Sequence, residues 1–281
     1  MRKPECLLLR VGEASLKSEQ VQRKWNTIMI GNINAALKGM DYELNANPSR
    51  FFVRTGKLKE AQKRLSKVFG ITSMSQCWMC RSDLEEMGRL AVDVAKSVLK
   101  KGESFAIRAR RAGRHEFSSR TVAETAGAAV VRATGAKVDL TKPDKEIFIE
   151  CRSNKTYVFT EKTESVGGLP LGTAGKVLAV VNGKKDIIAA WLMMRRGAEL
   201  SVVGDASKLK PWHIGIEMKV HKKSEDIRKI MSEEGIFAVV SGENLEKELG
   251  DRLKEEKMLV LYPLFGWESK NINSLERVIL R

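Results

Sequence analysis

Along the first 80 residues the apolar positions alternate between a two-residue and a helical period. A strand pattern covers residues 6–10, a long amphipathic helix 18–37, extended segments 42–44 and 51–54, a second helix 58–68, and another strand opens at Ile71. That order, β-α-β-β-α-β, is ferredoxin-like, with both helices on one face of a sheet and "NANPSR" supplying the turn between the central strands. A second unit follows, with a helix over 83–100 that Asp83 is placed to cap, the strand "SFAIRAR", a helix over 119–132, and two extended segments, "EIFIECR" and "TYVFTEK", separated by "SNK". The pattern predicts α+β structure throughout this half.

Residues 165–175, "SVGGLPLGTAG", concentrate glycine and proline and mark the clearest boundary in the chain. Beyond it strands and helices alternate: "KVLAVV", "DIIAAWLMMRR" ended by Gly197, "ELSVV", "SEDIRKIMSEE", "IFAVV", "NLEKELGDRLKEE", "MLVLY" and a last helix. Such alternation predicts an α/β domain, a parallel sheet with helices on both faces. Ligands of these sheets bind beyond the carboxyl ends of the strands, which directs attention to the loop at residues 182–186.

Composition narrows the function classes. Of 281 residues, 43% are hydrophobic and 30% charged, the balance of a globular protein, and no apolar run approaches the roughly 20 residues needed to span a bilayer. No membrane association and a cytoplasmic location are expected. Four scattered cysteines do not form the framework of a small disulfide-stapled domain, so reduced thiols are expected. The net charge of +15 changes the picture most, because a surplus of this size attracts polyanions. It is also lopsided. Residues 1–165 carry 31 Lys and Arg against 19 Asp and Glu, and residues 166–281 carry 19 against 16. A polyanion should dock on the first part.

Three stretches bear candidate chemistry. "AIRARRAGRHEFSSR" sets Arg108, Arg110, Arg111, Arg114, His115 and Arg120 on a strand and the loop after it; guanidinium forks suit phosphates, and the strand period puts Arg108 and Arg110 on one face. Phe117, interleaved among them, reads as structural. "QCWMC" spaces Cys77 and Cys80 as half of a zinc site or a redox pair would be, but the other cysteines and the three histidines supply no second pair, so no metal site is expected. Finally, Asn182, Gly183, Lys184, Lys185 and Asp186 follow a buried strand and open a helix, the layout that cradles a phosphate on backbone N–H groups.

These residues carry a family resemblance that spans essentially the whole chain: it resembles the tRNA 4-thiouridine synthetases of the ThiI type. "LLLRVGEASLKS" is similar to that family's R-Y-G-E-x-x-L-K opening, "FGITSMS" to its strand entering the THUMP domain, and "RRAGRHEFSSRTVAETAG" to its basic loop and following helix. "VGGLPLGTAGKVLAVV" is similar to its G-G-L-P-x-G-x-x-G-K linker, and "YPLFGWESKNI" to its R-P-L-x-G-x-x-K-x-x-I segment. The resemblance implies a ferredoxin-like domain over residues 1–75, a tRNA-binding THUMP domain over 76–165, and a shortened PP-loop domain, of the adenylating type, over 166–281. It also implies ATP as a cofactor, a cysteine persulfide as sulfur carrier, and a homodimer.

The family's loop reads S-G-G-x-D-S, and here Asn182 replaces the first serine, Lys184 the second glycine and Ile187 the last serine, whereas Gly183 and Asp186 remain. Both hydroxyls that would hold phosphate are gone, and a lysine stem stands where backbone should meet ligand. "VVSGENLEKELGDRL" lacks the polar T-G-x-x-x-G-Q-x-x-S-Q pattern, no cysteine follows Cys151, and no rhodanese-like extension is expected. The sequence therefore predicts a tRNA-binding protein with a degenerate PP-loop, its RNA contacts made by Lys17, Arg110, Arg111, Arg114 and Arg120. Two alternatives stand beside it: an active synthetase fed by an external sulfur donor, and a module that delivers tRNA to a separate modifying enzyme.

Overall fold

A computed structural model of the protein describes residues 2–12, 18–47, 50–242 and 259–280. The first half is built on β1 (Cys6–Val11), α1 (Glu19–Ala36), β2 (Glu43–Asn47), β3 (Arg50–Arg54), α2 (Leu58–Leu65) and β4 (Ile71–Arg81). It continues through α3 (Leu84–Val98), β5 (Phe105–Ala112), α4 (Ser119–Thr134), β6 (Lys145–Arg152), β7 (Lys155–Phe159) and the short β8 (Thr163–Glu164). Asp83 caps α3 as its position suggests, accepting from the backbone N–H of Glu85 and Glu86. Ser118 caps α4 in the same way through Thr121, and Gly135 ends that helix in the left-handed conformation.

All of these strands join one sheet in the order β2-β3-β1-β4-β7-β6-β5, with β8 paired to β4. The first four reproduce the ferredoxin-like order expected. The eleven residues of β4 serve both units, pairing with β1 from Ile71 to Cys77 and with β7 from Trp78 to Arg81. The expected border at residues 75 and 76 thus falls inside a continuous strand.

Alternation along β4 explains why the helices of both units cover the same face. Met74 packs into the core under α1 and α2, Gln76 donates to Gln62 of α2, and Trp78 and Cys80 meet the core under α3 and α4. Ser75 and Cys77 point the other way. That other face is not flat: β3 and β6 stand four strand spacings apart, roughly 19 Å in a planar sheet, yet Arg50 Nε lies 3.2 Å from Glu150 Oε1. Phe52 of β3 also stacks on Tyr157 of β7 with ring centroids 4.1 Å apart. The sheet folds over itself about β4 and encloses a seam lined by the buried Cys6, Leu8, Phe52, Cys77, Tyr157 and Phe159.

The last part forms a second, all-parallel sheet of β9 (Lys176–Val181), β10 (Glu199–Gly204), β11 (Lys219–His221), β12 (Ala238–Val240) and β13 (Leu259–Leu261), in the order β11-β10-β9-β12-β13. Helices α5 (Lys184–Arg195) and α7 (Ser269–Ile279) pack on one face and α6 (Ile227–Glu234) on the other, as the alternation predicts. One departure concerns β10 to β11, a connection that holds only a 3-10 turn at Lys210–Trp212 instead of a helix, and β11 is an edge strand that the pattern did not reveal. Three residues are too few for a period to show. The helix expected over 244–256 lies outside the described residues.

The glycine-rich boundary is a weld as well as a border. Gly70 N–H donates to Gly167 O and Gly167 N–H to Ile71 O, each at 2.8 Å, and Asn32 of α1 donates to Leu171 O at 3.1 Å. Gly168 has φ of 78°, and a Cβ there would stand 2.1 Å from the Arg195 carbonyl oxygen, so only glycine permits this approach. Phe69, from the first unit, sits in the core of the third against Trp191 and Trp212.

Candidate nucleotide loop and RNA interface

The loop after β9 lies at the carboxyl end of its sheet, beside the point where strand order reverses between β9 and β12. Three backbone donors around it converge on one carboxylate. Asp186, at the third position of α5, accepts from Asn182 N–H and Gly183 N–H through Oδ2, each at 3.0 Å, and from Gly242 N–H through Oδ1 at 3.0 Å. A carboxylate in the first turn also suits the helix dipole. Gly242 presses on the loop from the end of β12, where a Cβ would lie 2.3 Å from the carbonyl carbon of Lys185.

Lys184 carries its ammonium to Glu276 of α7 at 2.7 Å, and the group bonded to the N–H groups at the cradle is the Asp186 carboxylate. Asn182 accepts from Lys223 Nζ at 3.1 Å, and Lys185 is exposed.

The predicted RNA contacts separate over two faces. Arg110 points to the concave seam, whereas Arg111, one residue on, points to the helix side and donates to Gly113 O at 3.4 Å. Arg114 is exposed on the loop after β5, and Arg120 lies exposed on the first turn of α4, paired with Glu124 at 2.7 Å. Lys17 lies outside the described residues. His115 fastens the loop to the β6–β7 turn through Ser153 O at 2.7 Å and rests near Phe117, which packs on the core under α4 as a structural residue would. Arg108, on the face of Arg110, is taken up by Glu146 at 2.6 Å.

The seam holds cations that no single stretch of sequence announced. Arg50 and Arg152 share Glu150, at 3.2 and 2.7 Å. Burial pushes the Glu150 pKa up, but the bond from Arg152 and the charges of Arg152, Arg50 and Arg10 outweigh it and hold the group below the usual carboxylate value. Arg10 donates to Ser75 at 3.0 Å, lies 4.6 Å from the Phe159 ring centre, and leaves Nη2 buried without a partner. Lys162 sits 3.9 Å over Phe148, which stacks on Phe159. These residues come from β1, β3, β6 and the segment after β7, and the legible signal was only a charged residue at an otherwise inward strand position.

Cys6, Cys77 and Cys151 are buried and Cys80 is half-buried. Cys77 and Cys80 occupy opposite faces of β4, so their three-residue spacing joins them in neither a metal site nor a disulfide. Burial raises Cys77 well above the usual thiol value, pushes Cys80 up to about 12, and raises Cys151. Among the described residues no group of three His, Cys, Asp or Glu side chains could hold a metal, and no helix is long and apolar enough to cross a membrane.

Comparison with known proteins agrees with this architecture. A ThiI ferredoxin-like domain model matches residues 6–75 and a THUMP domain model residues 81–161. A probable tRNA sulfurtransferase of Methanosarcina acetivorans is 39% identical over 209 residues, 71% of this chain and 50% of that protein. Several such relatives extend this way, so the chain spans about half the length of the curated relatives it matches. A probable tRNA sulfurtransferase of Methanothermobacter thermautotrophicus is 30% identical over 331 aligned positions, covering 98% of this chain and 84% of that protein. Because the alignment is longer than this chain, the relative carries segments that this chain lacks.

Among solved structures, PH1313 from Pyrococcus horikoshii superposes with a TM-score of 0.85 at 28% identity, covering 99% of this chain and all of that one. A 4-thiouridine synthetase crystallised with RNA and ATP superposes with a TM-score of 0.82 at 21% identity, covering 99% of this chain and 85% of that one, a likeness of fold. With the ferredoxin-like unit, the THUMP unit and the parallel sheet in the same order along the chain, this protein belongs to the ThiI-type tRNA sulfurtransferase family.

Proposed function

We propose that this chain is a tRNA-binding member of its family in which the PP-loop domain no longer adenylates RNA or transfers sulfur on its own. The observation that carries this reading is the loop after β9, where Asn182, Lys184 and Ile187 stand in place of the serine, glycine and serine of the family's S-G-G-x-D-S pattern, while the retained Asp186 takes the N–H groups of Asn182, Gly183 and Gly242. A triphosphate is held in such a loop by backbone N–H groups with hydroxyl donors beside them. Neither hydroxyl of the family's loop is present, because Asn182 and Ile187 stand in those places, and Lys184 replaces the glycine between them. The residues therefore do not fit ATP in the family's manner. The charge asymmetry and the arginines of the first half support tRNA as the ligand.

Separate titrations of the full chain with ATP and with tRNA test the proposal. The expected result is tRNA binding at about micromolar or tighter affinity that weakens steeply with salt, and no saturable ATP binding. ATP-dependent incorporation of labelled sulfur into tRNA, lost in Asp186→Ala, would overturn it in favour of a synthetase fed by an external donor.

A further inference from the structure

Two of the cysteines face each other across the joint between β1 and β4. Cys6 is the direct partner of Cys77 in the antiparallel register of those strands. Both are buried in one cluster with Phe52, Tyr157 and Phe159. Directly opposed residues of antiparallel strands have Cα atoms about 4.5–5.5 Å apart, inside the range of about 4.4–6.8 Å over which a disulfide closes. The other two cysteines do not meet that condition. Cys80 and Cys151 both pair with Thr156, one on each side of β7, so they stand two strand spacings apart, roughly 10 Å, too far for a bond without backbone movement.

Cys6 is the member of the pair that a small solute can approach. A cavity of about 150 Å³ lies against it, walled by Phe52 and Tyr157 and opening between the exposed Glu43, Arg54 and Lys155. A void of that size admits water-sized molecules. Two cations against one carboxylate give it the positive lining typical of cysteines that react. Burial raises the Cys77 pKa, with the neighbouring Cys6 adding to the rise, so Cys77 stays a thiol until an electrophilic sulfur stands beside it.

We propose that Cys6 and Cys77 are a hydroperoxide-responsive pair that closes a reversible cross-strand disulfide. The Cys6 sulfur attacks one oxygen of hydrogen peroxide; an S–O bond forms, the O–O bond breaks, and the departing hydroxide leaves as water with the thiol proton. The Cys77 sulfur then attacks the Cys6 sulfenic acid. An S–S bond forms as the S–O bond breaks, and the hydroxide that leaves takes the Cys77 proton as a second water. The two thiols give up two electrons and two protons, and the peroxide is reduced to two waters. A dithiol reopens the bond by exchange. The bond pins β1 to the strand about which the sheet bends, and the inference is independent of tRNA binding.

The test treats the folded full chain with hydrogen peroxide, then unfolds it and alkylates the remaining thiols. Of the four cysteines, Cys80 and Cys151 should still alkylate, whereas Cys6 and Cys77 should appear in one cross-linked peptide that a dithiol separates. Cys77→Ser should stop at a Cys6 sulfenic acid that a 1,3-diketone traps, and Cys6→Ser should leave Cys77 fully alkylated. Cys80→Ser combined with Cys151→Ser keeps the pair itself intact and should form the cross-link undiminished. Full alkylation of Cys6 and Cys77 after peroxide would overturn the pairing. So would a cross-link to Cys80 or Cys151, or one that forms only when peroxide meets the unfolded chain.

Discussion

The loop at residues 182–186 and the seam inside the bent sheet are both placed to receive phosphate, and they differ in what they leave free. At the loop the helix N-terminus is present, but both family hydroxyls are lost and Asp186 takes the N–H groups of Asn182, Gly183 and Gly242. In the seam Arg10 keeps an unpartnered buried donor, and among the described residues Arg110 and Lys162 have no carboxylate within ion-pair distance. A phosphate-binding layout is therefore a statement about backbone geometry, whereas capacity for phosphate depends on donors that the protein has not already satisfied. A fold can keep the first and lose the second.

The largest effect should come from the weld that holds the two sheets together. Gly168→Ala combines a positive φ with a Cβ 2.1 Å from backbone, and should cost about 3 kcal/mol or more in urea unfolding. If the third domain docked loosely, the loss would be small. Next, Asp186→Ala should destabilise by about 1–3 kcal/mol, because three backbone donors lose their acceptor at once. A neutral outcome would mean that water satisfies those donors and that the loop is open to a ligand.

On the cationic side, Arg111→Ala with Arg114→Ala should lower the slope of log affinity against log salt by about 2 if each guanidinium meets one phosphate. An unchanged slope would remove the loop after β5 from the interface and leave the seam alone. Arg120→Ala should reduce RNA affinity less than either, with no change in melting temperature, since its pair with Glu124 is exposed.

The smallest expected effect is pH-dependent and concerns Glu234, which fastens the edge strand β11 by accepting from Ser201, His221 and Lys176 at 2.8, 2.7 and 3.3 Å. Burial raises its pKa, but those hydrogen bonds outweigh burial and hold it below the usual carboxylate value. A depressed folded pKa contributes stability above the unfolded value and loses it as pH falls through the folded one. Glu234→Gln should therefore melt about 2 to 4 °C lower at pH 7. The gap between wild type and variant should close on acidification below the ordinary carboxylate range.

Much of this molecule was determined by sequence alone, and for local reasons. Periods of two and 3.6 residues place side chains on faces whatever the rest of the chain does, so the ferredoxin-like order, the cap at Asp83 and the parallel domain were legible in advance. The altered loop was legible too, since lost hydroxyls are read from residue identity. The sheet's fold about β4 was decided only by tertiary structure, because curvature accumulates over strands distant in sequence. With it came the meeting of Arg10, Arg50, Arg110, Arg152 and Lys162 around Glu150. The direction of the Lys184 stem likewise depended on Glu276, ninety-two residues away. Which donors stay free is a question of partners, and partners are brought together by packing.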